Sequence, residues 1–169
     1  RGVVDPLMCG IGGFGSMQLF IPKLKVHECM DFHGKAPETA TPDMWSDRIE
    51  GEARDGFGFI LKDHINDIGY QSITAPGSLR AYYEAHRDYG VLDWKTILQP
   101  AIEYAENGWV VRPHVDFWWS IKNHFGRTPN PDRVKFSKPG RDLYCDAQGH
   151  LKIVGDEVVN NDLANTLKR

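Results

Sequence analysis

Four residues with metal-binding or acid–base chemistry alternate along one segment near the N-terminus. They are His27, Cys29, Asp31 and His33. Alternate residues of a β-strand point to the same face, so this spacing predicts one shared face for the four side chains. Imidazole, thiolate and carboxylate are all ligands that zinc accepts. Same-face neighbours on a strand lie about 6.5–7 Å apart, however, so one strand supplies at most two ligands to one ion. We therefore predict no metal site from this strand.

The glycine run at residues 10–15, GIGGFG, has the spacing of a dinucleotide-binding turn. Such a turn holds a pyrophosphate at the N-terminus of the helix that follows it. Here residues 16–22 are rich in large apolar side chains, lack helical spacing and end at a proline, which predicts a strand. Because a strand offers no helix dipole, we expect no nucleotide cofactor. The glycines are expected to let backbone segments pass close to each other.

The segment between residues 43 and 55 is acidic. Its carboxylates are Asp43, Asp47, Glu50, Glu52 and Asp55. A calcium loop requires carboxylates at alternating positions followed by a glycine, and that spacing is absent. We expect a solvated surface loop.

An aromatic stripe occupies the middle of the chain. Its members are Phe117, Trp118, Trp119, Ile121 and Phe125. Such a stripe can stack nucleic-acid bases or line a ligand pocket. Nucleic acid is disfavoured because Lys and Arg are scattered and the formal net charge is −3. The favoured interpretation is a helix buried against a sheet or a partner.

The remaining chemistry of the chain gives no complete catalytic set. The three cysteines, Cys9, Cys29 and Cys145, are odd in number and widely spaced, so we expect buried or half-buried thiols and no disulfide framework. No nucleophile elbow, zinc-protease motif or phosphate loop occurs. No apolar run approaches the roughly 20 residues of a membrane helix. At 169 residues the chain is long enough for one domain with its own core.

The first third of the chain is predicted to be β-structure. Residues 17–21 and 24–32 have strand-like composition and flank a short turn, which indicates an antiparallel pair. The next segment, 34–58, is rich in Gly, Pro, Asp and Glu and is expected to be a long irregular excursion.

The middle and last thirds are predicted to be mostly helical, which gives an α+β class. We expect a helix after a turn at residues 76–78, with Ser78 as its cap and Gly90 as its end. A segment capped by Asp93 and a new helix beginning at Pro100 should follow. Later elements are listed in order: a helix at 113–125, a proline-rich loop at 128–140, a hairpin-like stretch at 143–154 and a helix after Asn161.

Short segments along nearly the whole chain carry a more specific pattern. They are VVDP at 3–6, GIGGFG at 10–15, DFHGKAP at 31–37, APG at 75–77, the helical segments between 89 and 108, and the closing GD and DLANTL between 155 and 167. In this order they resemble the large-subunit region of the γ-glutamyltransferase (γ-glutamyl transpeptidase) family. The corresponding family motifs are V-V-x-P, G-I-G-G-G-G, D-F-R-E-x-A-P, V-P-G, Y-G…W…P-A-I…A-x-x-G and G-D…D-L-A-x-T-L.

The resemblance implies an N-terminal-nucleophile hydrolase with a four-layer αββα sandwich. Residues 1–169 would be a single partial domain inside the large subunit, a strand pair followed by helices, with both ends truncated. Such a protein is made as a zymogen that cuts itself autocatalytically, and the family serves glutathione metabolism. The new N-terminal Thr of the small subunit attacks an amide, forms an acyl-enzyme and passes the acyl group to water or an amine.

The resemblance places the nucleophile outside this chain, so no catalytic residue is predicted within it. The implied partners are the remaining parts of the same protein, including the small subunit, and a small-molecule amide substrate. No cofactor, metal, nucleic acid or membrane is implied. The compartment would be periplasmic or extracellular as in secreted bacterial members, and otherwise cytoplasmic.

One departure from the family motif falls on a substrate-binding position. The third residue of D-F-R-E-x-A-P is an arginine that holds the α-carboxylate of the γ-glutamyl group, and this chain has His33 there, followed by Gly34. Arginine offers a permanent charge and a two-pronged donor, whereas histidine offers one donor in a given direction. Lys35 would share the face of His33 on a continuous strand and is a candidate substitute. We expect altered acyl specificity.

Two functional hypotheses therefore remain. The first is the large-subunit portion of an amide hydrolase or acyltransferase that acts on γ-glutamyl or other acyl amides. The alternative is a catalytically inactive relative that serves as a structural or binding subunit. Self-cleavage at a Thr or Ser outside this chain separates them.

Overall fold

Two antiparallel strands follow the glycine run and carry the alternating His, Cys and Asp residues. The computed structural model describes residues 1–122 and 125–169. Strand β1 (Gly15–Ile21) pairs with β2 (Val26–Phe32) in a register that runs from Gly15↔Phe32 to Ile21↔Val26. A 3-10 turn (Pro22–Leu24) joins them and ends at Lys25, whose φ of 56° is left-handed. The predicted antiparallel pair, and the strand after the glycines, are confirmed.

A second hairpin lies inside the segment that we expected to be irregular. Strand β3 (Ile49–Glu52) pairs antiparallel with β4 (Phe59–Leu61), and a 3-10 turn (Ser46–Arg48) precedes it. The prediction of an irregular excursion through residue 58 is therefore wrong for this part. The acidic, glycine-rich composition of residues 49–52 is not typical of a strand. The strand forms because it pairs with β4, which lies beyond the segment that we considered.

The next two helices form a nearly continuous helical region. Helix α1 (Ser78–Tyr89) begins after Gly77, so Ser78 is its first residue and not its cap. Helix α2 (Trp94–Asn107) is capped by Asp93, whose side chain accepts the Thr96 N–H at 3.0 Å. The predicted break at Pro100 is wrong because α2 runs through it. The packing of α2 in the core and against the last helix outweighs the lost backbone bond.

Short elements complete the described chain. They are β5 (Trp109–Val110), α3 (Pro113–Trp119), α4 (Asn130–Lys135), α5 (Lys138–Tyr144), β6 (Glu157–Val158) and α6 (Asn161–Leu167), with β5 and β6 antiparallel. The predicted final helix is confirmed. The predicted hairpin is reduced to one bridge, Cys145↔Leu151, around a turn at Gly149.

Two predictions in this region are wrong. Helix α3 ends at Trp119, where the Ser120 hydroxyl donates to the carbonyl of Asp116, and not at Phe125. Residues 123 and 124 of the predicted helix lie outside the described residues. The expected loop at 128–140 holds α4 and the start of α5, because its prolines fall in the first turn of each helix, where a missing N–H costs nothing.

The hydrophobic core lies between the later helices and the β5–β6 pair. Its fully enclosed members are Ala105, Val111, Val115, Trp119, Val158 and Ala164. Trp119 packs edge-on against Trp109 and Tyr144, at centroid distances of 6.3 and 5.2 Å. Of the predicted aromatic stripe only Trp119 is deeply buried, whereas Phe117 and Phe125 are mostly exposed. The prediction of a buried aromatic helix is thus confirmed at a single residue.

The hairpin β1–β2 lies apart from this core. Neither strand contains a fully buried residue, and Phe20 is 70% exposed. No helix in the described ranges is long and apolar enough to cross a membrane. Two of the cysteines match the prediction, since Cys145 is buried and Cys9 half-buried, but Cys29 on β2 is exposed.

Two Arg–Asp clamps fasten the second hairpin region to the segment before α4. Arg127 donates to both carboxylate oxygens of Asp55 at 3.2 Å. Arg133 donates to Asp67, which also accepts the Thr128 N–H at 2.7 Å. The expectation of a fully solvated acidic loop is therefore wrong at Asp55, because a half-buried guanidinium pairs with this carboxylate.

Asp67 makes folding stability depend on pH. Burial by itself raises the pKa of Asp67, but the hydrogen bonds from Thr128 and the charge of Arg133 together outweigh it and lower the pKa below 3.8. A lowered folded pKa stabilises the protein above the unfolded value, and this contribution is lost as the pH falls through the folded value.

We predict that Asp67→Asn lowers the free energy of unfolding at pH 7 by about 1–3 kcal/mol, because Arg133 loses its partner. The variant should also lose less stability than the parent when the pH falls below about 4. Urea unfolding between pH 3 and 7 measures both effects. The exposed Asp63→Asn on the same segment is the matched control. Equal pH slopes for Asp67→Asn and the parent would contradict the assignment.

Candidate functional site

His33 stands one residue beyond the end of β2, where the hairpin meets α1. Strand pairing ends at Phe32, whose partner is Gly15. Two residues later Lys35 pairs with Ala75, which donates its N–H to the Lys35 carbonyl at 3.0 Å. His33 is thereby held at both sides while its side chain stays 62% exposed. The backbone on each side of His33 is therefore held by pairing while its imidazole stays accessible.

Asp31 fixes the imidazole of His33. The backbone N–H of His33 donates to Asp31 Oδ1 at 3.0 Å, and its Nδ1 lies 2.7 Å from the same oxygen. Because a carboxylate accepts, Nδ1 carries the proton. The backbone bond, and then the side-chain bond, hold the pKa of Asp31 below its usual value. Asp31 is therefore ionised at neutral pH and sets the ring orientation.

The other ring nitrogen of His33, Nε2, has no hydrogen-bond partner among residues 1–122 and 125–169. With Nδ1 protonated, Nε2 of the neutral ring is an acceptor, and it becomes a donor only in the imidazolium. The neutral site thus presents a lone pair where an arginine would present two N–H groups.

Two aromatic contacts lie at or beside His33. The Phe14 ring lies 5.7 Å from the His33 ring, centroid to centroid. Tyr82 of α1 contacts Phe32 edge-on at 5.8 Å. The sequence analysis did not identify Phe14 as a site residue, because Phe14 lies within a glycine run that predicts a turn. A large aromatic side chain between glycines is the feature that could have indicated it.

Lys35, the proposed substitute cation, is exposed. Strand β2 ends at Phe32, and Lys35 forms an isolated bridge with Ala75 and not with β1. The condition for a shared face of His33 and Lys35, a continuous strand through Gly34, is therefore not met. A role for Lys35 in binding stays a prediction.

Gly34 is kept small by Thr74 on the opposite side of that pairing. A Cβ placed on Gly34 would lie 2.1 Å from Thr74 Oγ1 and 2.7 Å from Thr74 Cβ. The hydroxyl can move by rotation about χ1, but the Cβ of Thr74 is fixed by its own backbone. A side chain at residue 34 therefore requires a backbone shift at residue 74 or a smaller residue there.

The alternating residues of β2, His27, Cys29 and Asp31, are exposed on one face, as predicted from the spacing. In the described part of the chain, no group of three His, Cys, Asp or Glu residues is placed to hold a metal ion. His27 instead lies 2.9 Å from the Gln18 amide.

The glycine run packs against the start of α1. The carbonyl of Gly13 accepts the N–H groups of Gly77 and Ser78, at 3.1 and 3.2 Å. A Cβ on Gly77 would lie 3.0 Å from the carbonyl oxygen of Phe32, so α1 begins in close contact with the end of β2. We expected close backbone approach at the glycines of the run itself, but a Cβ at Gly12 would meet nothing within 4 Å and one at Gly13 would meet the Ser78 hydroxyl first, at 3.3 Å. The close approach of backbones lies instead at Gly77, outside the run.

Solved structures with the same arrangement define the class of fold. The gamma-glutamyltranspeptidase of Helicobacter pylori superposes on 99% of this chain with a TM-score of 0.78 and 23% identity, and 43% of that chain is covered. The Bacillus anthracis transpeptidase enzyme CapD superposes on 99% with a TM-score of 0.65 and 23% identity, and 44% of it is covered. The chain therefore has an α+β fold shared with these transpeptidases.

The sequence identifies the family. The Gamma-glutamyltranspeptidase family model matches residues 1–169, and the chain belongs to this family. Scoloptoxin SSD14 of Scolopendra dehaani is 34% identical over 99% of the chain and 26% of its own length. The Acylase ACY 1 proenzyme of Pseudomonas sp. V22 is 36% identical over 67% of the chain and 20% of its own length. Glutathione hydrolase 3 of Arabidopsis thaliana is 28% identical over 99% of the chain and 23% of its own length. The chain thus spans at most about a quarter of the length of these relatives.

The Gly34–Thr74 contact predicts a coupled pair of substitutions. Gly34→Ala should lower the free energy of unfolding by about 1–3 kcal/mol, since the added methyl meets the fixed Cβ of Thr74. In a Thr74→Gly background the same change should cost less by about 1 kcal/mol or more. Thermal or urea unfolding of the four proteins measures the coupling.

Gly51→Ala is the matched control, since a Cβ there meets nothing within 4 Å. Additive effects of Gly34→Ala and Thr74→Gly would show that the two residues are not in contact.

Proposed function

We propose that the protein containing this chain is an N-terminal-nucleophile amide hydrolase or acyltransferase, and that residues 1–169 are part of its large subunit. The family match over the whole chain is the observation that carries this proposal. The printed names of relatives support it, because the glutathione hydrolase of Bacillus subtilis and the Pseudomonas acylase are both proenzymes. The proposed partners are a small subunit that carries the nucleophile and a small-molecule amide.

We infer the finer architecture from the same relationship. The hairpin β1–β2 would contribute to one sheet of a four-layer αββα sandwich, completed by other parts of the protein. One face of this hairpin is exposed and its strands contain no fully buried residue, which supports the inference, since an isolated two-stranded ribbon is only marginally stable. Residues 1–169 would then be a partial domain.

We propose that His33 contacts the acyl group of the substrate and that it changes the acyl preference. It occupies the arginine position of the family motif, and its exposed Nε2 is free to bind a ligand. The neutral ring offers an acceptor, and ionised Asp31 lies beside it, so a carboxylate is poorly received. An acyl group that carries a hydrogen-bond donor suits the site better. Lys35 is proposed as a second, more distant contact.

Self-cleavage tests the proposed reaction class. Mass spectrometry of the full-length protein should show two chains, the smaller beginning with Thr or Ser, and the purified protein should release amine from an acyl p-nitroanilide. A protein that stays as one chain and releases no amine would overturn the enzyme hypothesis. That result would favour the alternative of an inactive structural or binding relative.

The acyl preference is tested by His33→Arg. We expect the turnover of γ-glutamyl p-nitroanilide, relative to an uncharged acyl p-nitroanilide, to rise at least about tenfold, since a charge-assisted bond to carboxylate contributes about 1.5 kcal/mol or more. The ratio of kcat/KM values for the two substrates measures this. His27→Arg, which adds the same charge at the far end of the exposed β2 face, should leave the ratio unchanged. Equal ratios in parent and His33→Arg would remove His33 from the acyl site.

A further inference from the structure

The hydrogen bond between Asp31 and His33 gives the two protonation states of this imidazole opposite binding properties. Nδ1 lies 2.7 Å from Asp31 Oδ1, and the carboxylate accepts its proton in both states. The change on protonation is therefore confined to Nε2. The neutral ring presents a lone pair there, whereas the imidazolium presents an N–H group and a positive charge.

The orientation of the ring keeps Nε2 accessible. The backbone N–H of His33 donates to the same Asp31 oxygen at 3.0 Å, which holds the carboxylate beside the ring. A flip of the imidazole would give up the Nδ1 bond, so the bonded orientation is favoured. The Phe14 ring packs at 5.7 Å from the imidazole, and the His33 side chain is still 62% exposed.

The elements around His33 supply it with one ionic partner. Strand β1 carries no titratable side chain, and neither does the glycine run at residues 10–15. Within the described ranges, only Asp31 forms a hydrogen bond or ion pair with the His33 side chain. The other titratable side chains on the adjoining segments are His27, Glu28 and Cys29 of β2, Lys35 and Glu38 after it, and Arg80, Tyr82, Tyr83 and Glu84 in the first two turns of α1, where Arg80 pairs with Glu84.

We propose that the protonation state of His33 selects the class of acyl group, an inference that rests on the proposed function. The imidazolium donates a charge-assisted hydrogen bond to an acyl group that carries a carboxylate, as γ-glutamyl does. The neutral ring offers a lone pair beside the Asp31 carboxylate, so it repels such a group and accepts from an uncharged acyl group that carries an N–H or O–H.

The direction of the pH dependence follows from the form that binds. Imidazole side chains change charge between about pH 5 and 8. A ligand carboxylate that requires the imidazolium binds at the acid end of this range and is released as the pH rises through it. An arginine at the same position would stay charged throughout and would give no such dependence. Asp31 acts as a positioning residue, because it fixes which nitrogen faces the ligand.

Binding of two matched ligands to the full-length protein tests the selection without turnover. L-Glutamate and 4-aminobutyrate differ only in the α-carboxylate, and isothermal titration calorimetry gives the ratio of their affinities. The ratio should favour glutamate at least about tenfold more at pH 5.5 than at pH 8, since a charge-assisted hydrogen bond is gained at the lower pH. An equal ratio at both pH values would overturn the inference.

Three variants assign the pH dependence to its residues. His33→Gln removes the titrating group and should make the affinity ratio equal at pH 5.5 and 8. His27→Gln, at the exposed far end of β2, is the matched control and should keep the tenfold change. Asp31→Asn should raise the ratio at pH 8 at least about twofold, because a fixed negative charge near the ligand carboxylate is lost. A merely structural role of Asp31 would weaken both ligands equally.

Circular dichroism establishes that each variant is folded. A pH dependence that survives in His33→Gln would assign the selection to another group and overturn the inference.

Activity separates this inference from the proposed function. If the affinity ratio changes with pH and the protein releases no amine from any acyl amide, the selection by His33 stands and the proposed enzyme fails. If amine is released, but the kcat/KM ratio for γ-glutamyl and 4-aminobutyryl p-nitroanilide is the same at pH 5.5 and 8, the enzyme stands and the selection fails.

Discussion

The docking of the first turn of α1 on the glycine run is the contact on which the candidate site depends. One carbonyl oxygen, that of Gly13, accepts two consecutive N–H groups at the start of the helix. At the same point Gly77 allows the helix to touch the backbone at the end of β2. These contacts fix the relative positions of His33, Phe14 and Ser78, which come from three different segments. The glycine run thus acts here through backbone hydrogen bonds to the start of a helix that lies far from it in sequence.

The end of β2 differs in its hydrogen-bonding groups from what an arginine would provide. Asp31 accepts from the protonated Nδ1 of His33, so a neutral imidazole keeps a lone pair on Nε2 where an arginine would carry two N–H groups. The backbone and side-chain hydrogen bonds from His33 also hold the pKa of Asp31 below its usual value, which keeps this carboxylate ionised at neutral pH. An anionic side chain and an imidazole acceptor therefore lie together at the end of β2.

The hydrophobic core of the molecule lies away from the candidate site. Trp119 and the small side chains around it bury the later helices against the β5–β6 pair, while β1–β2 has one exposed face and no fully buried residue. The site is thus carried by a hairpin whose stabilisation within the described chain comes from its ladder, from α1 and from the Glu28–Tyr89 hydrogen bond.

The sequence by itself determined the family, the first hairpin, the start and end of α1, the cap at Asp93 and the shared face of the β2 residues. These features depend on local spacing and on ordered motifs, which one chain displays directly. Only the tertiary structure decided that α2 continues through Pro100, that Asp55 pairs with Arg127 and that Thr74 excludes a side chain at Gly34. Each of these arises between residues distant in sequence, or from packing that outweighs local preference.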